Sequence, residues 1–222
     1  MRARTLMLLA ALLAGPLSAD ALAQANPRPA APPRGLELGG YALVGLMNFT
    51  AADTFDAGLG SPYGSIFGGG VRMGLPVGGL FVDVGAWQFR DSGQRVFVFN
   101  GREFPLDEAL HVTITPLEVS GGWQFRFRRA PQFRPYVAGG FTAYRYKETS
   151  EFAAASENVE EWFNGYQVAG GVEFPVQQWI GVAWEGTWSR VPDAIGEGGL
   201  SAAFNETDLG GASFRFKITI GR

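Results

Sequence analysis

Cysteine is absent from all 222 residues. No disulfide framework, thiol nucleophile or thiolate metal site is therefore available. Histidine occurs once, at His111, so a histidine-rich metal cluster is excluded, and only this side chain titrates near neutral pH without a large shift. The charge balance is mildly acidic: 18 Lys and Arg face 21 Asp and Glu, a formal net charge of −3. That balance is not the footprint of a nucleic-acid binder. Beyond residue 25 there is no long apolar run and no sustained stripe at the helical period, which argues against membrane-spanning helices and helical bundles alike. The excess is in glycine, 32 residues, with 18 Phe, 6 Trp and 6 Tyr beside it. Many glycines with many aromatics and good alternation is the composition of a curved β-sheet.

The first 25 residues, MRARTLMLLAALLAGPLSADALAQA, combine a basic start at Arg2 and Arg4, an apolar run from residue 6 to 13, and a helix-ending Gly15-Pro16. They close on Ala23-Gln24-Ala25, the small-x-small pattern of a secretory cleavage site, and the apolar run is too short to span a bilayer. Residues 1–25 are thus expected to be a signal peptide, so the protein is expected outside the cytoplasm. Loss of Arg2, Arg4 and Asp20 would move the net charge from −3 to −4. Residues 26–34, NPRPAAPPR, form a Pro-rich extended leader. Residues 35–222 show no change of composition that would mark a linker, so they read as one domain.

Period-2 alternation recurs along that domain. In LGGASFRFKITIGR (209–222), Phe214, Phe216, Ile218 and Ile220 share one face, and Arg215, Lys217 and Thr219 the other. In LEVSGGWQFRFRR (117–129), Leu117, Val119, Trp123, Phe125 and Phe127 alternate with Glu118, Gln124, Arg126 and Arg128. About eight such runs are expected, near residues 36–50, 64–75, 80–99, 102–128, 135–151, 162–175, 180–190 and 206–221. Asn100-Gly101 between apolar alternations is a type I′ hairpin signal, joining a third and fourth strand far longer than the roughly 9 to 11 residues a bilayer requires.

Connection lengths alternate. Those near 76–79, 129–134 and 176–179 are short, and those near 51–63, 152–161 and 191–205 are long and polar or Gly-rich. An even strand count, with short and long turns at opposite ends, is the pattern of an all-β, eight-stranded antiparallel up-and-down transmembrane β-barrel. Tyr136 and Trp179 beside short turns, and Trp87, Phe89, Tyr144, Tyr146, Trp162 and Trp188 near long ones, are expected to form two aromatic girdles.

The stretches GYQVAGGVEF (165–174), WIGVAWEGTWSRV (179–191) and the closing LGGASFRFKITIGR make residues 35–222 resemble a known family: the small eight-stranded outer-membrane barrels of Gram-negative bacteria, the OmpA transmembrane domain and the OmpX/Ail-like proteins. One departure is the end, Ile220-Gly221-Arg222, where that family commonly closes on an aromatic residue; Phe214 and Phe216 are the nearest substitutes. The resemblance implies an outer-membrane location and a role in envelope integrity or adhesion. The partners it implies are outer-membrane lipid and lipopolysaccharide, an extracellular ligand held by the long loops, and no second copy of the chain.

The stretch 170–188, GGVEFPVQQWIGVAWEGTW, places Glu173 and Glu185 among apolar residues. With the apolar face outward, pairing Val176 with Ile180 across a three-residue loop sets Glu173 opposite Ala183 and Glu185 opposite Gly171, both pointing inward. The lumen of an eight-stranded barrel is filled by side chains, so the expectation is an ion-pair network of Arg72, Asp83, Arg126, Arg145, Glu173, Glu185, Arg215 and Lys217. At least one of Arg126, Arg145 and Arg215 is expected to touch Glu173 or Glu185. An acid-base carboxylate pair would need an open cleft.

His111 is the one candidate base, with Thr113 as hydroxyl partner. Glu118 lies on the opposite strand face, so the residue reads as a surface histidine rather than part of an outer-membrane deacylase site. The glycine pairs open no helix and so form no phosphate loop. The loop acids Asp53, Asp56, Glu157, Glu160, Glu161, Asp193 and Glu197 lack calcium-loop spacing. No catalytic, cofactor or metal site is expected. The alternatives to a closed structural or surface-interaction barrel are a narrow passive channel and a lipid-modifying enzyme using His111.

Overall fold

The computed structural model describes residues 35–221 except 77, 100–101, 151–158 and 197–198. The signal and leader segments and the Asn100-Gly101 turn of the sequence reading lie outside the described residues. Eight strands follow one another: β1 (Glu37–Phe49), β2 (Tyr63–Gly74), β3 (Leu80–Phe99), β4 (Arg102–Gln124), β5 (Arg134–Ser150), β6 (Val159–Pro175), β7 (Ile180–Arg190) and β8 (Gly211–Gly221). Each pairs antiparallel with its chain neighbours, and β1 pairs with β8, closing an up-and-down barrel. Closure satisfies every strand edge internally, the one way a sheet can present itself to lipid.

The fold follows from two faces per strand. Val44, Phe67, Val84, Val119, Val137, Val168 and Ile218 point out and are exposed. Their neighbours Leu43, Asp83, Glu118, Tyr136, Gln167 and Lys217 point in and are buried. The shortest strands, β7 and β8, have 11 residues each, and at a tilt of about 45° such a strand rises about 25 Å, the height of an outer-membrane apolar belt. β3 and β4 are 20 and 23 residues long, so their hairpin projects beyond the other strands. Its pairing continues to Phe99 opposite Arg102 with one register shift between Gln94 and Val96.

Several boundaries differ from the sequence expectation. β4 stops at Gln124 rather than continuing through Arg128: Phe125 N–H makes a last rung to the Pro135 carbonyl (2.8 Å), Pro135 has no N–H to return, and the chain then turns. β8 starts at Gly211, not 206, because Asp208 Oδ1 accepts from both Val191 N–H and Gly210 N–H at 2.8 Å and holds this segment as a loop.

The long loops also contain two short helices that the period analysis missed, α1 (Ala52–Leu59) and α2 (Gly199–Phe204). Neither is long enough to show a stripe. The N-terminus of α1 has no local side-chain cap. The Glu206 carboxylate takes that place, accepting from Asp53 N–H (3.1 Å) and Thr54 N–H (2.8 Å) across more than 150 residues of chain.

Candidate functional site: a filled lumen

The lumen has two chemically distinct regions. Toward the short turns it is a column of paired charges. Arg72 on β2 donates from Nε to Asp83 Oδ2 on β3 (2.9 Å), and its Nη1 lies 3.6 Å from Glu173 on β6. Its guanidinium sits between the rings of Phe81 and Tyr136, 4.3 and 4.6 Å from their centroids, a planar cation on two aromatic faces. Gln124 Nε2 donates to Glu173 (3.1 Å), and Tyr41 hydroxyl donates to Asp83 Oδ1 (2.6 Å). Gly70 makes room for this tyrosine: a Cβ there would stand 2.5 Å from its hydroxyl oxygen.

One level further in, Glu185 on β7 accepts from Lys217 Nζ (2.7 Å) and Tyr136 hydroxyl (2.9 Å), with Arg215 Nη1 at 3.6 Å. Arg215 forms a two-pronged pair with Glu118 on β4, both N–H···O distances 2.8 Å. Trp87 Nε1–H donates to the same carboxylate (2.6 Å). The column thus holds four carboxylates against three cations, and the tyrosine hydroxyls, the indole and the Gln124 amide supply the remaining donors. Glu118, Lys217, Arg215 and Glu185 are each under 7 % exposed. The polar void among these groups measures about 10 Å³ to a water-sized sphere, room for about one water molecule.

Toward the long loops the filling becomes apolar. Phe49 stacks on Phe55 of α1 with centroids 4.3 Å apart, and Phe89 meets Phe49 edge-on at 4.9 Å. Met47, Ile66, Leu110, Ile114, Tyr144, Val191 and Leu209 complete this cap. α1 lies close against β3 at Gly93, where a Cβ would overlap the Gly58 carbonyl.

The register around Glu173 and Glu185 sets Glu173 opposite Ala183 and Gly171 opposite Glu185, with Val176 N–H on the Ile180 carbonyl (2.9 Å). Of the eight residues expected in one network, the structure brings together Arg72, Asp83, Glu173, Glu185, Arg215 and Lys217. Arg145 is corrected: it is exposed on the outward face of β5 and bonds Glu160 through Nε (3.0 Å). The inward parity on β5 belongs to Tyr136, Thr142 and Tyr144. Hydrogen bonds from Arg145, and then its charge, hold the Glu160 carboxyl below the usual carboxylate range. Arg126 has inward parity but lies past the end of β4, where it bonds Glu37 of β1 (2.8 Å) at the short-turn rim.

Glu118, Tyr41, Tyr136 and Trp87 were not in the expected network. For Glu118 the signal was present, since it alternates with Leu117 and Val119 just as Arg215 alternates with Phe214 and Phe216. The aromatic girdles need the same correction. Trp87, Phe89, Tyr136 and Tyr144 are no more than 2 % exposed, inside the lumen, whereas Trp162, Trp179 and Trp188 face out. β3 carries apolar residues on both faces, so its alternation does not tell the two sides apart.

His111 faces outward on the projecting hairpin. Its Nδ1 lies 2.7 Å from the hydroxyl oxygen of Ser92, the residue opposite it on β3. The hydroxyl partner is therefore Ser92 and not Thr113, a pairing that only the strand register reveals. Among the described residues no carboxylate bonds the ring.

By sequence the chain matches no protein-family model and no curated protein. By structure it is similar to Neisserial surface protein A, with a TM-score of 0.50 and 8 % identity over 85 % of this chain and 97 % of that one. Ail, the attachment invasion locus protein of Yersinia pestis, scores 0.48 at 10 % identity over 85 % and 98 %. The N-terminal β-barrel domain of Pseudomonas aeruginosa OprF scores 0.45 at 8 % over 83 % and 97 %. At such identities likeness speaks for architecture alone. With its closed sheet and filled interior, the chain has the fold of the small eight-stranded outer-membrane barrels.

Proposed function

We propose that this is an exported outer-membrane barrel with a structural or surface-interaction role, its lumen closed by the ion-pair column and the loop cap. The observation that carries the closure is the size of the polar void, about one water, among buried charges that each have a partner. A conducting path would have to break several buried pairs at once, at about 3–5 kcal/mol for each partner lost. Membrane placement is supported by the outward belt, where even Phe141 is 79 % exposed. An apolar patch of that extent calls for an apolar phase around it. No described helix is long and apolar enough to cross a membrane, so the crossing falls to the strands. The secretory pattern of residues 1–25 supports export.

In this reading the long loops and the projecting hairpin face outward, where an extracellular ligand and lipopolysaccharide are the proposed partners. The absence of a free sheet edge favours a monomer. Heat-modifiable migration of protein from an outer-membrane fraction tests the placement. A mobility shift between unheated and boiled samples is expected, and identical migration contradicts it.

A second reading, lipid modification at His111, has the Ser92 bond in its favour. A serine–histidine pair can act as nucleophile and base, although it works best with a third group orienting the ring. Lipid A profiles from wild type and a His111→Ala variant decide this: identical profiles remove the enzymatic reading.

A further inference from the structure

The β4–β5 turn concentrates positive charge in a way the rest of the chain does not. Its segment FRFRRAPQFR (125–134) carries four arginines and no acid, in a protein of formal net charge −3. The sequence treats FRFRR as the tail of a strand, with the arginines spaced along one face. Because β4 ends at Gln124, these residues instead gather at the tip of one turn, held by Ala130 N–H on the Phe127 carbonyl (3.3 Å) and Phe133 N–H on the Ala130 carbonyl (3.1 Å). Arg126 is used by Glu37, and Arg134 Nε bonds the Pro131 carbonyl (3.3 Å). Arg128 and Arg129 are exposed, and neither has an ion pair or hydrogen bond among the described residues.

The same turn is aromatic. Phe125, Phe127 and Phe133 are all exposed. Phe127 and Phe133 stack at 6.4 Å, Phe133 meets Phe174 of β6 at 5.8 Å, and the series continues through Trp184 to Phe216 on the barrel exterior. The turn's phenylalanines thus extend the apolar belt at its edge, and the arginines stand where that belt meets water. Rings at the acyl boundary with guanidinium groups beside them match an anionic lipid headgroup: the rings bury apolar area, and each arginine presents a planar fork of donors to phosphate.

We propose that the β4–β5 turn is a binding site for anionic phospholipid in the leaflet that meets the short-turn rim, with Arg128 and Arg129 holding the phosphate and Phe127 and Phe133 the acyl region. The proposal rests on the membrane placement argued above. An acidic soluble partner is disfavoured because the phenylalanines continue the belt and do not form a separate patch.

The test uses the full-length chain folded in zwitterionic micelles, with native mass spectrometry following retention of added phosphatidylglycerol or phosphatidylcholine of the same acyl length. Wild type should retain phosphatidylglycerol in preference, and Arg128→Gln with Arg129→Gln should weaken that preference by roughly twenty-five-fold at low salt, at about fivefold per arginine near an anionic surface. Arg90→Gln, on the outward face of β3 toward the opposite rim, should leave it unchanged. Equal retention of the two lipids by wild type, or a preference that survives the double substitution, overturns the proposal. Should the double variant fail to fold, the wild-type comparison decides alone, with the preference expected to fall as salt is raised. Heat-modifiable migration of the same samples separates the two ideas: a barrel that shifts but shows no lipid preference sinks the turn site while leaving the membrane reading intact.

Discussion

The two ends of one lumen solve the same problem with opposite chemistry. Toward the short turns, strand residues supply charges, and Glu118, Glu185, Arg215 and Lys217 satisfy one another in the buried interior. Toward the long loops, Phe49, Phe55 and Phe89 fill the space with stacked rings, and a helix from a loop completes the packing. Paired charges have strict partners, so the column resists substitution of any single member. Apolar packing tolerates loss of volume more gradually and can open locally, because its top layer belongs to loops and not to the barrel ladder. The column is therefore expected to unfold with the barrel as a whole, and the cap to open before it.

The largest effect is expected at the Arg215–Glu118 pair. Arg215→Met leaves Glu118 without its cation, while Glu185 keeps Lys217, and should cost about 3–5 kcal/mol in urea unfolding of the detergent-folded barrel. Adding Glu118→Leu to that variant should recover part of the loss, since an apolar pair of similar volume removes the stranded charge. If the double variant is less stable than the single one, the column does not act through pairing.

Phe55→Ala comes next, at about 2 kcal/mol, below the ~3–5 kcal/mol of a fully enclosed phenylalanine because α1 is only loop-anchored. Amide exchange of α1 should quicken while that of β7 and β8 stays constant. Faster exchange throughout would mean that cap and column are a single cooperative unit.

The two α1 amides use different oxygens of Glu206, Asp53 N–H on Oε1 and Thr54 N–H on Oε2. Glu206→Gln therefore keeps an acceptor for only one of them and removes the charge at the α1 N-terminus, and a loss of about 1–2 kcal/mol confined to α1 amides is expected. Smallest is Arg145→Gln on the exterior. The unfolding midpoint should not move, and an NMR titration should find the Glu160 carboxyl back in its ordinary range after losing Arg145's hydrogen bonds and charge.

The difference between column and cap also explains what was legible in the sequence. Alternation is a local signal, so the faces of β6, β7 and β8 and the three-residue turn at Gln177 followed from parity alone. Where a strand is apolar on both faces, as with Val84 and Trp87 on β3, parity loses its meaning and the inward aromatics read as girdle residues. Arg145 was misplaced for a related reason: on β5 it lies between Tyr144 and Tyr146, which share the opposite face, and only the packing of those tyrosines against the core shows that their face and not the arginine's turns inward. The cap left no local trace. α1 spans 8 residues, and its N-terminal partner Glu206 lies more than 150 positions away, beyond any window of periodicity.

The central claim is that a lumen filled by paired charges and an apolar cap makes this a closed barrel, and single-channel recording in planar bilayers tests it most directly. Wild type, with its heat-modifiable shift verified beforehand, should leave the conductance at that of the bare bilayer. Steady, reproducible opening steps from the wild-type protein would contradict the account and favour the narrow-channel reading.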